Sequence, residues 1–279
     1  MPTDNIPPPD WSWLADCGVG EVREVGDSAR LIRGDAFEIL PRIPAGRIHM
    51  IFADPPYFLS GGGITCKSGR MASVDKGDWD RPESFKKTYE FICEWLSLCR
   101  RVLARDGTIW VSGTRHIIHV VGSAMQELGY KLLNEVIWYK RNAPPNLSCR
   151  YFTHSTETIL WAARSEKSRH TFNYEAMKAQ NEGKQMRNVW DIAPPKKHEK
   201  RYGKHPTQKP EALLERIVEA STKPGKLILD PFCGSGTTGV TALRLGRIFL
   251  GIDSDADFLS VAKRRLRDED AEGCQRRLW

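Results

Sequence analysis

Two short apolar runs in this chain each end at an aspartate followed by proline, and no other feature restricts its fold as much. Ile48 to Ala53 runs into Asp54-Pro55-Pro56-Tyr57, and Leu227 to Leu229 runs into Asp230-Pro231-Phe232-Cys233-Gly234-Ser235-Gly236. Proline cannot continue a central strand, so both runs read as buried strands that must turn at their carboxyl ends. Around them, amphipathic stretches alternate with further apolar runs. The spacing predicts helices over 82–103, 117–128, 210–220, 237–245 and 257–267. It predicts strands over 108–111, 136–139, 158–161 and 248–252, with Asp106-Gly107 as a turn before the first of these. Strands alternating with helices imply an α/β fold with a mostly parallel, twisted sheet. Such sheets bind ligands outside the carboxyl ends of their strands, where both Asp-Pro segments fall.

Composition narrows the function classes. The 279 residues carry 42 Lys plus Arg against 35 Asp plus Glu, a net charge of +7, which fits a polyanionic partner without requiring one. No apolar stretch approaches the ~20 residues that span a bilayer, so no membrane association is expected. Seven cysteines are scattered without a C-x-x-C pair, and His154 and His205 lack ligand spacing. Neither a disulfide framework nor a metal site is expected, and reduced thiols fit a cytoplasmic protein. Residues 1–20 read as an N-terminal arm, proline-rich at its start and without the features of a secretion signal. Residues 21–279 read as one domain. Residues 58–81, rich in Gly, Ser, Lys and Asp, read as a mobile loop beside the first Asp-Pro turn. Residues 141–204, dense in cations, read as an inserted region.

The segment Gly234-Ser235-Gly236-Thr237-Thr238-Gly239 matches G-x-G-x-x-G between a strand and a helix, with Asp253 after the next strand. Glycines admit a ligand close to backbone, and a carboxylate at that place suits ribose hydroxyls. The pattern fits any adenosine-bearing cofactor. Asp230 and Phe232 favour a cationic one such as S-adenosylmethionine, because an acid could face the cation and the ring could shield it. At Asp54-Pro55-Pro56-Tyr57 a carboxylate, a stiffened carbonyl and a flat ring stand together. An extrahelical base with an exocyclic amine requires two acceptors and a stacking face. Each pattern read alone also fits a bland turn.

Together the segments resemble the amino-methylating DNA methyltransferases, whose catalytic motif is D/S-P-P-Y/F/W and whose cofactor motif is F-x-G-x-G. The catalytic motif comes first here, which is the circularly permuted order of the β-group. Lys204-His205-Pro206-Thr207-Gln208-Lys209-Pro210 and Gly34-Asp35-Ala36 resemble two further motifs of that group. Residues 53–60, 74–80 and 152–157 are similar to the second adenine methyltransferases of DpnII-type restriction systems, whose target is GATC.

The resemblance implies a Rossmann-like S-adenosylmethionine-dependent methyltransferase fold acting on the N6 amine of adenine by base flipping. Asp54, Pro55, Pro56 and Tyr57 would be catalytic. Asp35, Asp230, Phe232, Gly234, Ser235, Gly236, Thr237 and Asp253 would bind the cofactor, with Thr207 and Lys209 closing its pocket. Lys67, Arg70, Lys76, Arg141, Arg150, Lys196, Lys197, Lys200 and Arg201 would meet DNA, with 141–204 as the target-recognition region. A restriction endonuclease and a second copy of the chain are the further partners implied. The same site would serve cytosine N4. An NAD-dependent oxidoreductase would leave 54–57 unexplained, and a non-catalytic DNA-binding module would not need them.

Overall fold

A computed structural model describes residues 9–56, 64–67, 70–73, 84–203 and 205–277. In chain order it begins with helix α1 (Ser12–Asp16), strands β1 (Val22–Val25) and β2 (Ala29–Arg33), and helix α2 (Ala36–Ile39). Strand β3 (Ile48–Ala53) precedes a small antiparallel hairpin of β4 (Ile64–Lys67) and β5 (Arg70–Ser73). Then come α3 (Phe85–Val102), β6 (Leu103–Gly113), α4 (Ile118–Glu127), β7 (Lys131–Tyr139) and β8 (Thr156–Ala163). Helix α5 (Tyr174–Gln180), β9 (Val189–Asp191), α6 (Glu211–Ser221), β10 (Leu227–Asp230), α7 (Thr237–Arg244), β11 (Ile248–Asp253) and α8 (Ala256–Arg277) complete it.

Among the described residues nine strands form one sheet, in the order β1-β2-β11-β10-β3-β6-β8-β7-β9. The centre, β2-β11-β10-β3-β6, is parallel throughout, while β1 and β8 run antiparallel to their neighbours. The expected α/β fold with a mostly parallel sheet is what forms. Central strands bury both faces, because alternate side chains point to opposite sides. On β3, Ile51 and Ala53 join a core containing Ile92, Trp95 and Leu96 of α3, whereas Met50 and Phe52 join a second core with Leu213 and Ile217 of α6.

This order solves the permutation. Strands β3 and β10 lie far apart in sequence, yet Met50 pairs with Ile228 and Ile51 with Leu229. Both Asp-Pro turns therefore leave the sheet side by side at one edge. Strands β2 and β11 end there too, with Arg33 opposite Asp253. So does the start of antiparallel β8, where Thr158 faces Gly113 of β6.

Several expectations are corrected. The arm does not reach residue 20, since Trp13, Leu14 and Val19 are buried in the core. Region 141–204 is not one insertion: β8 lies inside the central sheet, and β9 pairs with β7. Asp106-Gly107 is not a turn before a strand but lies within β6, where the register against β3 jumps from Leu103 to Thr108. The helix expected over 82–103 buries a face only from Ile92 onward, and Phe85 at its start is 73% exposed. Helix α8 continues past the expected Arg267. The expected loop 58–81 lies outside the described residues except for the β4–β5 hairpin.

Candidate active site

The carboxyl edge of the sheet holds a cavity of about 500 Å³ lined from four adjacent strand ends: Gly34 and Asp35 after β2, Asp253 ending β11, Pro231 and Phe232 after β10, and Asp54, Pro55 and Pro56 after β3. A narrow annex of about 30 Å³ runs deeper, past Asp230, Cys233, Gly234, Ser235 and Thr237. The two share Asp54, His205, Thr207 and Phe232 as walls. Every expected catalytic or cofactor residue whose side chain is described thus collects at one edge. Tyr57 and Lys76 lie outside the described residues, as do the side chains of Lys67 and Arg70.

The glycine loop is built for close approach. Gly234 and Gly236 have φ of +48° and +75°, a region costly for other residues. A Cβ on Gly234 would stand 2.9 Å from the His205 ring, and one on Gly236 would stand 2.8 Å from Ala262 Cβ. Arg265 holds the loop from behind. Its guanidinium donates to the Ser235 carbonyl (2.8 Å), the Thr237 hydroxyl (2.9 Å) and Glu211 (2.8 Å). The hydroxyls of Ser235 and Thr237 are therefore occupied in shaping the loop. Phe232 stands edge-on to the buried Trp95, with centroids 5.8 Å apart, which fixes its ring at the junction of cavity and annex.

Asp253 accepts from the backbone N–H groups of Gly234 (2.7 Å) and Asp255 (2.9 Å). Burial pushes its carboxyl above the usual range, against those hydrogen bonds. Asp35 caps α2 through the Phe37 N–H (2.8 Å) and so stands at the cavity wall beside Phe37. Phe37 packs on Phe91 at 5.0 Å, and Phe258 meets the His205 ring at 4.3 Å. Sequence reasoning missed these four rings. Phe37 and His205 each sat inside or beside a motif already noticed, whereas Phe91 and Phe258 carry no signal beyond helical spacing.

Two expected cofactor residues that line the annex are also held by protein groups. Asp230 is the first. It is 3% exposed and accepts from the Thr238 hydroxyl (2.6 Å) and the Phe232 N–H (3.1 Å). Burial, with Asp54 and Asp253 nearby, pushes its carboxyl up to about 7. A carboxyl raised on folding stabilises the fold while protonated, and that contribution is lost as pH rises through its folded value. We expect Asp230→Asn to flatten the fall in melting temperature between about pH 4 and 7. An unchanged slope would assign that fall to other groups.

Lys209 does not line the cofactor side alone. Its ammonium lies 2.6 Å from Asp54 Oδ2 and 3.6 Å from Glu157 Oε2. The Ser112 hydroxyl donates to Asp54 Oδ1. Lys140 pairs with the other oxygen of Glu157.

The proposed DNA contacts separate into groups. Arg141 pairs with Asp191, and Arg201 with Asp268 of α8. The turn at 196–200 packs on α6, where Glu199 accepts the N–H groups of Lys196 and Glu211. Lys196 and Lys197 are exposed there, and Lys200 is half-buried. Arg150 is exposed in the β7–β8 connection, which opens at the same edge as Asp54.

A carboxylate beside a cavity of about 500 Å³, on neighbouring ends of a parallel sheet, fits a methyltransferase acting on an amine. Residues 48–264 match the N6/N4 family of DNA methylases, and the chain belongs to that family. It is an S-adenosylmethionine-dependent DNA methyltransferase. Over 241 residues it is 57% identical to the type II methyltransferase M2.LlaDCHI of Lactococcus lactis subsp. cremoris and 55% identical to M2.DpnII of Streptococcus pneumoniae. Each match covers 86% of this chain and 90% of the relative. The crystal structure of the M1.HpyAVI-SAM complex superposes with a TM-score of 0.64 at 27% identity, covering 85% of this chain and 98% of that one. The chain is accordingly a site-specific enzyme of the DpnII-like adenine-N6 kind.

Proposed function

We propose that Asp54 and the Pro55 carbonyl accept the two protons of a flipped adenine N6 amine, and that Tyr57 stacks on that base. The observation that carries this reading is Asp54 itself, which forms the common wall of the sheet-edge cavity and its annex. An aromatic amine is a poor nucleophile because its lone pair is delocalised into the ring. Two acceptors on its protons favour a pyramidal nitrogen, whose lone pair is then directed at an electrophile. S-adenosylmethionine supplies that electrophile as a methyl group on a sulfonium. The lining suits such a ligand: Asp253 would accept from ribose hydroxyls, Asp35 from an adenine amine, and Phe37 and Phe258 would offer flat apolar walls. Phe232, Gly234 and Gly236 flank the annex that would take the methionine part. Positioning then contributes most of the acceleration.

GATC is the target in this reading, supported by the similarity to DpnII-type enzymes. The type II designation of the relatives supports a paired restriction endonuclease. A homodimer belongs to the same reading, tested by light scattering. DNA as substrate supports action in the cytoplasm.

The β7–β8 connection presents the DNA-facing rim. Lys140 N–H bonds the Ser155 carbonyl (2.8 Å), so residues 141–154 form a closed excursion at the carboxyl edge. Phe152 is 94% exposed there and Tyr151 58%. Aromatic rings held in water beside a base-flipping site suit a gap in a base stack, where such contacts contribute about 1–3 kcal/mol. Phe152→Ala should weaken binding to a GATC duplex about tenfold or more without altering its salt dependence. Arg150→Ala should instead lower the salt slope by about one. Methylation of GATC duplexes but not of permuted sequences, read by transfer of labelled methyl groups from S-adenosylmethionine, tests the target. Equal methylation of both would refute it.

A further inference from the structure

Lys209 occupies one oxygen of Asp54, the side chain assigned to the incoming amine. Its ammonium sits 2.6 Å from Oδ2 and is 5% exposed. A buried ammonium moves only where another anion receives it, because leaving it unpaired is costly. Such an anion is present. Glu157, the second residue of β8, places Oε2 3.6 Å from the same ammonium. That oxygen is buried and accepts no hydrogen bond from the described residues. The other oxygen of Glu157 is held by Lys140, so the carboxylate is fixed in place. The four side chains, Asp54, Lys209, Glu157 and Lys140, alternate in sign.

We infer that Lys209 is handed from Asp54 to Glu157 when the target amine enters, and that Glu157 is the positioning residue that receives it. Without a base, Lys209 holds Asp54 paired. With the base in place, one amine N–H donates to Asp54 Oδ2, and the ammonium completes its hydrogen bond to Glu157 Oε2. No covalent bond changes. The charge of the network is constant, so the exchange needs only a short side-chain displacement. The inference rests on Asp54 as the amine acceptor.

Glu157→Gln removes the receiving charge and leaves Lys209 on Asp54. It should lower kcat about tenfold or more while the KM for S-adenosylmethionine stays within about twofold. With 2-aminopurine beside the target adenine, so that the target keeps its N6 amine, the fluorescence rise on DNA binding should shrink in the same variant. The decisive comparison is the double variant Glu157→Gln/Lys209→Met, which removes one charge of each sign. Without an ammonium to displace, it should turn over faster than Glu157→Gln alone. A double variant as slow as or slower than the single one would overturn the hand-over, since a merely structural Glu157 gains nothing from a second lesion. If Glu157→Gln folds poorly, Glu157→Asp, one methylene shorter, replaces it in the same comparison. Asp54→Asn run in parallel separates the two claims. Full activity there would remove the acceptor assignment itself. An inactive Asp54→Asn with an unrescued double variant would remove the hand-over alone.

Discussion

Asp54→Asn is expected to lower the methyl-transfer rate by at least about 10³-fold, by combined loss of positioning and of a proton acceptor, while affinity for S-adenosylmethionine stays within about threefold. The amide keeps the size of the carboxylate, so the shared wall between cavity and annex survives. It also keeps an acceptor for Lys209 or Ser112, both of which hold Asp54. What it loses is negative charge beside an amine that becomes cationic as the methyl arrives. Single-turnover methylation of a duplex, paired with calorimetric cofactor binding, checks both halves. Equal loss of binding and rate would show that Asp54 serves the cofactor pocket rather than the amine.

Asp253→Ala should do the reverse. It removes the carboxylate assigned to the ribose hydroxyls, where each hydrogen bond to a charged group contributes about 1.5–3 kcal/mol. It also frees the Gly234 N–H, whose bond to Asp253 ties the glycine loop to the end of β11. Cofactor affinity should fall about 100-fold or more, with the single-turnover rate at saturating cofactor within about tenfold of wild type. A variant that binds normally would place the ribose elsewhere in the cavity. Asp54 and Asp253 thus form a crossed pair, one acting on rate and the other on binding.

The parts of this site that were legible in the sequence are those built from contiguous residues. Strand β3 announced itself because a central parallel strand is apolar on both faces and stops at a proline. Strand β10 did the same, and a glycine loop that needs positive φ must spell out its glycines. Strands β1 and β2 were invisible because Arg23, Arg30 and Arg33 break their apolar pattern, and what covers Arg23 and Arg30, Ser260 of α8 and the Trp11 ring, is remote in sequence. Trp13 and Leu14 looked like part of an arm because two apolar residues after a proline run carry no period. The contact of Lys209 with Asp54 and Glu157 joins three segments remote in sequence, through strand order alone. The same motif that suggested a cofactor lid contains Lys209, yet only the neighbouring strand ends show which group it reaches.

The central claim is that this sheet edge transfers a methyl group to an adenine amine. The most direct test incubates the purified protein with S-adenosylmethionine and unmethylated DNA, then digests the DNA to nucleosides for mass spectrometry. The account predicts N6-methyladenine, absent when Asp54 is replaced by Asn. N4-methylcytosine as the product would contradict the adenine assignment and the GATC target with it, and no methylated nucleoside at all would contradict the activity.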